Sequence, residues 1–137
     1  MEQESDKGLL GQSHWLEDPQ CGRASGAAAS ALILVEIGFD VINPIQPECM
    51  DPIEIKRRWG ERITLHGCIS IQRTLPFGSV DDVRREVETL IRQCGYNGGL
   101  VLLPSNNIQP DTPIENVLAC YHTARDFDVR TLDGRPG

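Results

Sequence analysis

His66, Gly67 and Cys68 place two soft metal ligands two residues apart, and Cys49 offers a third. In a strand, residues i and i+2 share a face, so His66 and Cys68 could address one ion. Donors drawn from separate segments, with no CxxC among them, are a weak zinc signature. The expectation is that both residues pack in a core and are hydrogen-bonded, with no metal and no cofactor. His14 and the Tyr121–His122 pair read as surface or packing residues. GYNGGL (residues 95–100) precedes a strand instead of linking strand to helix, so it is not a phosphate loop. No Gly-x-Ser-x-Gly elbow is present. Asp51, Asp81 and Asp82 read as helix starters and Asp40 precedes a strand, which leaves no pair of carboxylates for general acid–base work. KRRWGER (residues 56–62) is basic at a helix end and reads as solvated surface.

The amides follow a clearer pattern. NPIQPECMDPIEI (residues 43–55) is echoed by NNIQPDTPIENV (residues 106–117), and Ile-Gln recurs at residues 71–72. The repeated Pro-Ile-Glu has a structural cause: proline suits a first helical turn, and glutamate can satisfy an orphan N–H there. The amides Asn43, Gln46, Gln72, Asn106 and Gln109 fall at or just past predicted strand ends, with Ser70 beside them. Two readings stay open for this group, local loop hydrogen bonding or the rim of a ligand site.

The elements that must position these residues alternate. Residues 24–37 are rich in Ala, Leu, Ile and Val and predict a buried helix stopped by Gly38. Residues 40–43 predict a strand closed by Pro44. DPIEIKRRWG predicts a helix with Asp51 as cap, Pro52 in the first turn and Glu54 reaching back. Residues 62–67 predict the second strand. SVDDVRREVETLIRQCG predicts the strongest helix, with Val80, Val83, Val87, Leu90, Ile91 and Cys94 on one stripe, Ser79 as cap and Asp82 closing a capping box. GLVLL (residues 99–103) is apolar throughout, as a strand buried on both faces should be. A last helix opens at Thr112-Pro113, with Ile114, Val117, Leu118 and Tyr121 as its inner stripe. Strand–helix alternation means a parallel sheet, and ligands of such sheets gather at the strands' carboxyl ends.

The whole chain narrows the classes. Its 137 residues suffice for one modest domain, and its net charge of −7 disfavours nucleic acid and anionic membranes as partners. Five widely spaced cysteines suggest reduced thiols in a cytoplasm. The acidic opening MEQESDKGLL does not read as a signal peptide, and the best apolar run is interrupted by Glu36 and too short to span a bilayer.

The run from about Val35 to Phe127, with INPIQP, MDP, TLPFGS and PSNNIQPDTPIENV, resembles the C-terminal third of the uroporphyrinogen decarboxylase family. That family includes corrinoid-dependent methyltransferases that act with zinc. The resemblance implies a (β/α)8 barrel, which needs about 250 residues. The expected fold is therefore α/β: part of a TIM barrel, three parallel βα units preceded by a helix, over residues 24–128. Residues 1–23 would be a poorly ordered leader and residues 129–137 a tail. It implies a carbon–carbon lyase, here a truncated fragment or partial subunit inactive alone. The alternative is a remnant of the methyltransferase branch, or a fragment that only binds ligand. In the decarboxylase branch, arginines hold substrate carboxylates, an aspartate binds pyrrole N–H groups, and no metal is used. That branch has a histidine in the loop after the last strand, where this chain has Asn106. The methyltransferase zinc pair, His-x-Cys, would fall at PQCG, with Pro19 in place of the histidine, and its later cysteine would fall at or near Asn106. The resemblance makes Asn43, Gln46, Ser70, Gln72 and Asn106 the candidate substrate-binding residues. It implies a tetrapyrrole or other carboxylated small molecule as ligand, and a complementary barrel fragment or a second copy as partner.

Overall fold

The computed structural model describes residues 24–132 and Gly134, with side chains from Ala29 onward. The expectation for residues 1–23 concerns residues outside this range. Three parallel strands, β1 (Val41–Ile45), β2 (Thr64–Ile69) and β3 (Leu100–Pro104), form one open sheet in the order β1-β2-β3. Chain order and spatial order agree, as in successive units of a (β/α)8 barrel. β1 does not stop before Pro44. It runs through to Ile45, and the ladder slips between the pairs Ile42–Leu65 and Ile45–Gly67. Three steps on β1 oppose two on β2, the count of a bulge, at the residue that has no N–H to give the ladder.

Helices join and cover the strands. α1 (Ala24–Glu36) ends in a Schellman closure: the Gly38 N–H donates to Val35 O at 3.1 Å and the Phe39 N–H to Leu34 O at 3.0 Å. Gly38 holds φ +93°, which favours glycine. α2 (Pro52–Trp59) starts at Asp51, whose carboxylate accepts from the Ile53 N–H at 2.9 Å. Glu54 does not reach back; it pairs with Arg58 one turn on. A short helix, α3 (Thr74–Phe77), was not anticipated in the TLPFGS segment. α4 (Val80–Cys94) carries the capping box expected of Ser79 and Asp82 and buries Val83, Val87, Leu90, Ile91 and Cys94. α5 (Ile114–Asp126) follows β3, and a 3-10 turn spans Val129–Thr131. Ile42, Leu65, Ile69, Ile55 and the α4 stripe form one core between sheet and helices. Among the described residues no helix is long and apolar enough to cross a membrane.

Four sequence expectations are corrected. α1 is not a buried helix: Ala31 and Val35 pack inward, while Ile33 and Ile37 are exposed. β3 is covered on one face only, and Val101 is 41% exposed, because no further element lies over the other side of the sheet among the described residues. The inner stripe of α5 is not Ile114, Leu118 and Tyr121, all of which are exposed, but Asn116, Ala119 and Cys120. Asn116 donates from Nδ2 to Leu75 O and Gly78 O, each at 2.8 Å, so a polar residue docks α5 on α3. Finally, KRRWGER is not all solvated: Lys56 is only 1% exposed. Its amine donates to Gly98 O at 2.6 Å and lies 5.4 Å from the centre of the Tyr96 ring. Burial holds the Lys56 pKa below its ordinary value, with Cys94 and Glu61 opposing.

Candidate functional site

Alternation along the strands sends Leu65 and Ile42 toward the helices and leaves His66 and Val101, which are register partners, on the uncovered face. Asn43 lies within the β1 bulge, and its Oδ1 is 2.8 Å from His66 Nδ1. An amide oxygen only accepts, so Nδ1 is the donor in this contact. Both side chains line a cleft of about 500 Å³ at the carboxyl ends of β1 and β3, together with Leu103, Ser105, Asn106 and Tyr121. That volume is in the range of small-molecule sites.

Ser105 is 4% exposed; its N–H donates to Ile69 O at 2.9 Å, but its buried Oγ has no protein partner. A buried hydroxyl without a partner costs free energy, of order 1–3 kcal/mol, unless a ligand or solvent satisfies it. Asn106 is exposed, and its Oδ1 accepts from the Asn107 N–H at 2.7 Å. Among the described residues, no Arg, Lys, Asp or Glu lines this cleft.

Of the residues singled out in the sequence, the fold therefore brings Asn43 and Asn106 together. Gln46 lies outside the cleft, where its carbonyl accepts from the N–H groups of Cys49 and Met50 at 2.9 and 2.8 Å. Gln72 is exposed and away from the cleft, and Gln109 donates to Asn107 O at 3.2 Å. For the Gln109 amide, local loop hydrogen bonding is what the geometry displays. Ser70 is buried elsewhere, between two carboxylates. His66, Ser105 and Tyr121 were missed as site residues. A histidine two residues from a glycine on a strand gives no hint of which face will stay uncovered.

Away from the cleft, two carboxylates converge on Ser70. The Ser70 N–H donates to Glu86 Oε1 at 2.9 Å, and the Ser70 hydroxyl donates to Glu48 Oε1. The same hydroxyl accepts from the N–H groups of Arg73 and Thr74 at 3.0 and 3.3 Å. The second oxygens of Glu48 and Glu86 are buried without partners. Burial raises the Glu86 pKa above its ordinary value and the neighbouring Glu48 adds to this, against hydrogen bonds from Thr74 and Ser70. The arrangement clamps the loop after β2 to α4.

Among the described residues, no three of His, Cys, Asp and Glu converge on a metal. Cys68 is fully buried, at φ +81°, and burial raises its thiol pKa strongly. Burial likewise pushes Cys94 up to about 12 and Cys120 up to about 11, so these thiols stay protonated and are neither nucleophiles nor ready ligands. Among the described residues, Cys68, Cys94 and Cys120 are free thiols. With an amide at position 106 as well, the donors present do not fit a zinc centre.

An open parallel sheet in chain order, with a cleft at its carboxyl ends, is consistent with part of a (β/α)8 barrel. The family model for uroporphyrinogen decarboxylase (URO-D) matches residues 21–127, and the chain belongs to that family. Methylcobamide:CoM methyltransferase MtaA of Methanosarcina barkeri is 31% identical over 107 residues, covering 77% of this chain and 29% of the relative. The chain thus spans less than a third of the length of that curated relative.

Proposed function

We propose that this chain forms one wall of a uroporphyrinogen decarboxylase-like site. It holds a carboxylated small molecule of the tetrapyrrole class in the cleft of Asn43, His66, Ser105 and Asn106. Turnover requires further barrel strands beyond the three described here. The observation that supports this most is the composition of the cleft: hydrogen-bonding groups from β1, β2 and the loop after β3 converge where barrel ligands sit, with no cation among the described residues that line it. Anchoring several carboxylates takes charge-assisted contacts, so the missing cations belong to the completing part.

The test is release of CO2 from uroporphyrinogen by the purified chain, alone and mixed with the N-terminal barrel portion of a URO-D family member. The expected result is no release alone, release on mixing, and loss of that release in Asn106→Ala. Turnover by the 137 residues alone overturns the proposal. So does inactivity of a mixture that demonstrably associates.

The second reading, a remnant of the methyltransferase branch, rests on the methyltransferase relative. It requires zinc-dependent methyl transfer from a methylcobamide in the completed assembly. Asn106, standing where that branch would need a thiolate, weighs against it.

A further inference from the structure

We infer that His66 is the proton-exchanging residue of the cleft: its Nε2, presented by the Asn43–Nδ1 contact, takes up a proton when a ligand carboxylate binds and then donates a charge-assisted hydrogen bond to it. This rests on the proposed ligand class. It goes further in naming which atom recognises the carboxylate and in making binding pH-linked.

Three observations carry it. The Asn43 Oδ1 contact at 2.8 Å holds Nδ1 as the donor nitrogen, so the free lone pair is on Nε2. Nε2 has no protein partner among the described residues, while the ring lines the cleft. Ser105 lines the same cleft, and its buried Oγ has no hydrogen-bond partner among the described residues. An uncharged cleft with donors from a hydroxyl and amides can seat one carboxylate oxygen, but it supplies no counter-charge. His66 is the group that can. Protonation of Nε2 by solvent leaves both ring nitrogens as donors, Nδ1 still to Asn43 and Nε2 to the carboxylate.

Of the other residues facing the ring, Asn43 and Pro44 from β1, Leu103 and Pro104 from β3, and Ser105 to Ile108 from the following loop do not titrate. Tyr121 from α5 is the other ionisable side chain of the lining.

The experiment is an NMR titration of the full chain, following the His66 ring nitrogens and carbon-bound protons against pH. It is run without ligand, with propionate, and with uroporphyrin or its octamethyl ester. Before any ligand is added, the ring nitrogens should show the Nδ1–H tautomer above about pH 8. Asn43→Ala should release that preference. Propionate should raise the pH at which His66 titrates. Uroporphyrin should bind about tenfold tighter at about pH 5.5 than at about pH 8, and His66→Gln should flatten that difference. An Nε2–H tautomer in the free chain, or a pH dependence unchanged in His66→Gln, overturns the inference. Binding of uroporphyrin with the His66 titration unmoved leaves the ligand class standing and removes the role of His66. A propionate response without binding of uroporphyrin keeps the role of His66 and removes the tetrapyrrole class. A response to neither overturns both. Equal binding of the octamethyl ester also counts against the inference, because the ester has no carboxylate to receive the proton.

Discussion

Glu86 shows how burial turns one carboxylate into a pH sensor for the fold. Its pKa in the folded chain is raised, so the folded state holds its proton over a range where the unfolded chain has lost it. Stability then falls as pH rises from the ordinary glutamate value of 4.5 up through the raised one. Glu86→Gln keeps an oxygen for the Ser70 N–H and removes the charge. It should raise stability at about pH 7 and abolish that slope, read from urea midpoints across the pH range. Asn116 is the opposite case, a buried polar group fully used. Asn116→Ala strands the Leu75 and Gly78 carbonyls and should cost about 2–4 kcal/mol in the same assay. Neither role could be read from the sequence. Asn43 and Asn106 were legible because strand-end position alone marks them. Asn116 was not, because helical periodicity counts apolar residues, and its partners come from a short helix 40 residues away that no pattern announced.

At the scale of elements, local signals carried most of the fold. The α4 helix was legible to its caps because Ser79 and Asp82 satisfy orphan N–H groups with their own side chains, a chemistry confined to four residues. Ser79→Ala should lower stability by about 1 kcal/mol. Asp82, held down to about 2 first by the Ser79 N–H and hydroxyl and then by Arg85, supports the box above its ordinary value of 3.8. That support is lost as pH falls from there towards 2. A thermal melt series in acid should show Asp82→Ala and the parent chain converging over that window. The helix α5 was placed correctly but rotated wrongly, since Ile114, Leu118 and Tyr121 also make an apolar stripe and only tertiary contacts choose between the two faces. β1 was drawn too short for a related reason. Proline usually ends a strand, yet here the bulge absorbs Pro44 and carries Asn43 to His66.

For the whole molecule, a parallel sheet normally has both faces covered. Here β1 and β3 each leave one edge unpaired among the described residues, and Val41 and Val101 stand 46% and 41% exposed on the uncovered side. Such edges template association. We expect the chain to sediment as an oligomer or to associate reversibly. A compact monomer with cooperative unfolding would refute this. The open face is also why β3 was misread: an unbroken apolar run is correct for a strand inside a closed barrel, and the sequence of β3 is written for that setting.

Lys56 gives this fold a clock. The chain has two lysines, Lys7 and Lys56. The amine of Lys56 is sealed under the Gly98 carbonyl and the Tyr96 ring. An amine-reactive reagent can reach it only when the turn ahead of β3 lifts away, so its rate of modification counts openings of that turn. Mass spectrometry after timed labelling should find Lys56 modified far more slowly than in urea. Any partner that closes over β3 should slow it further.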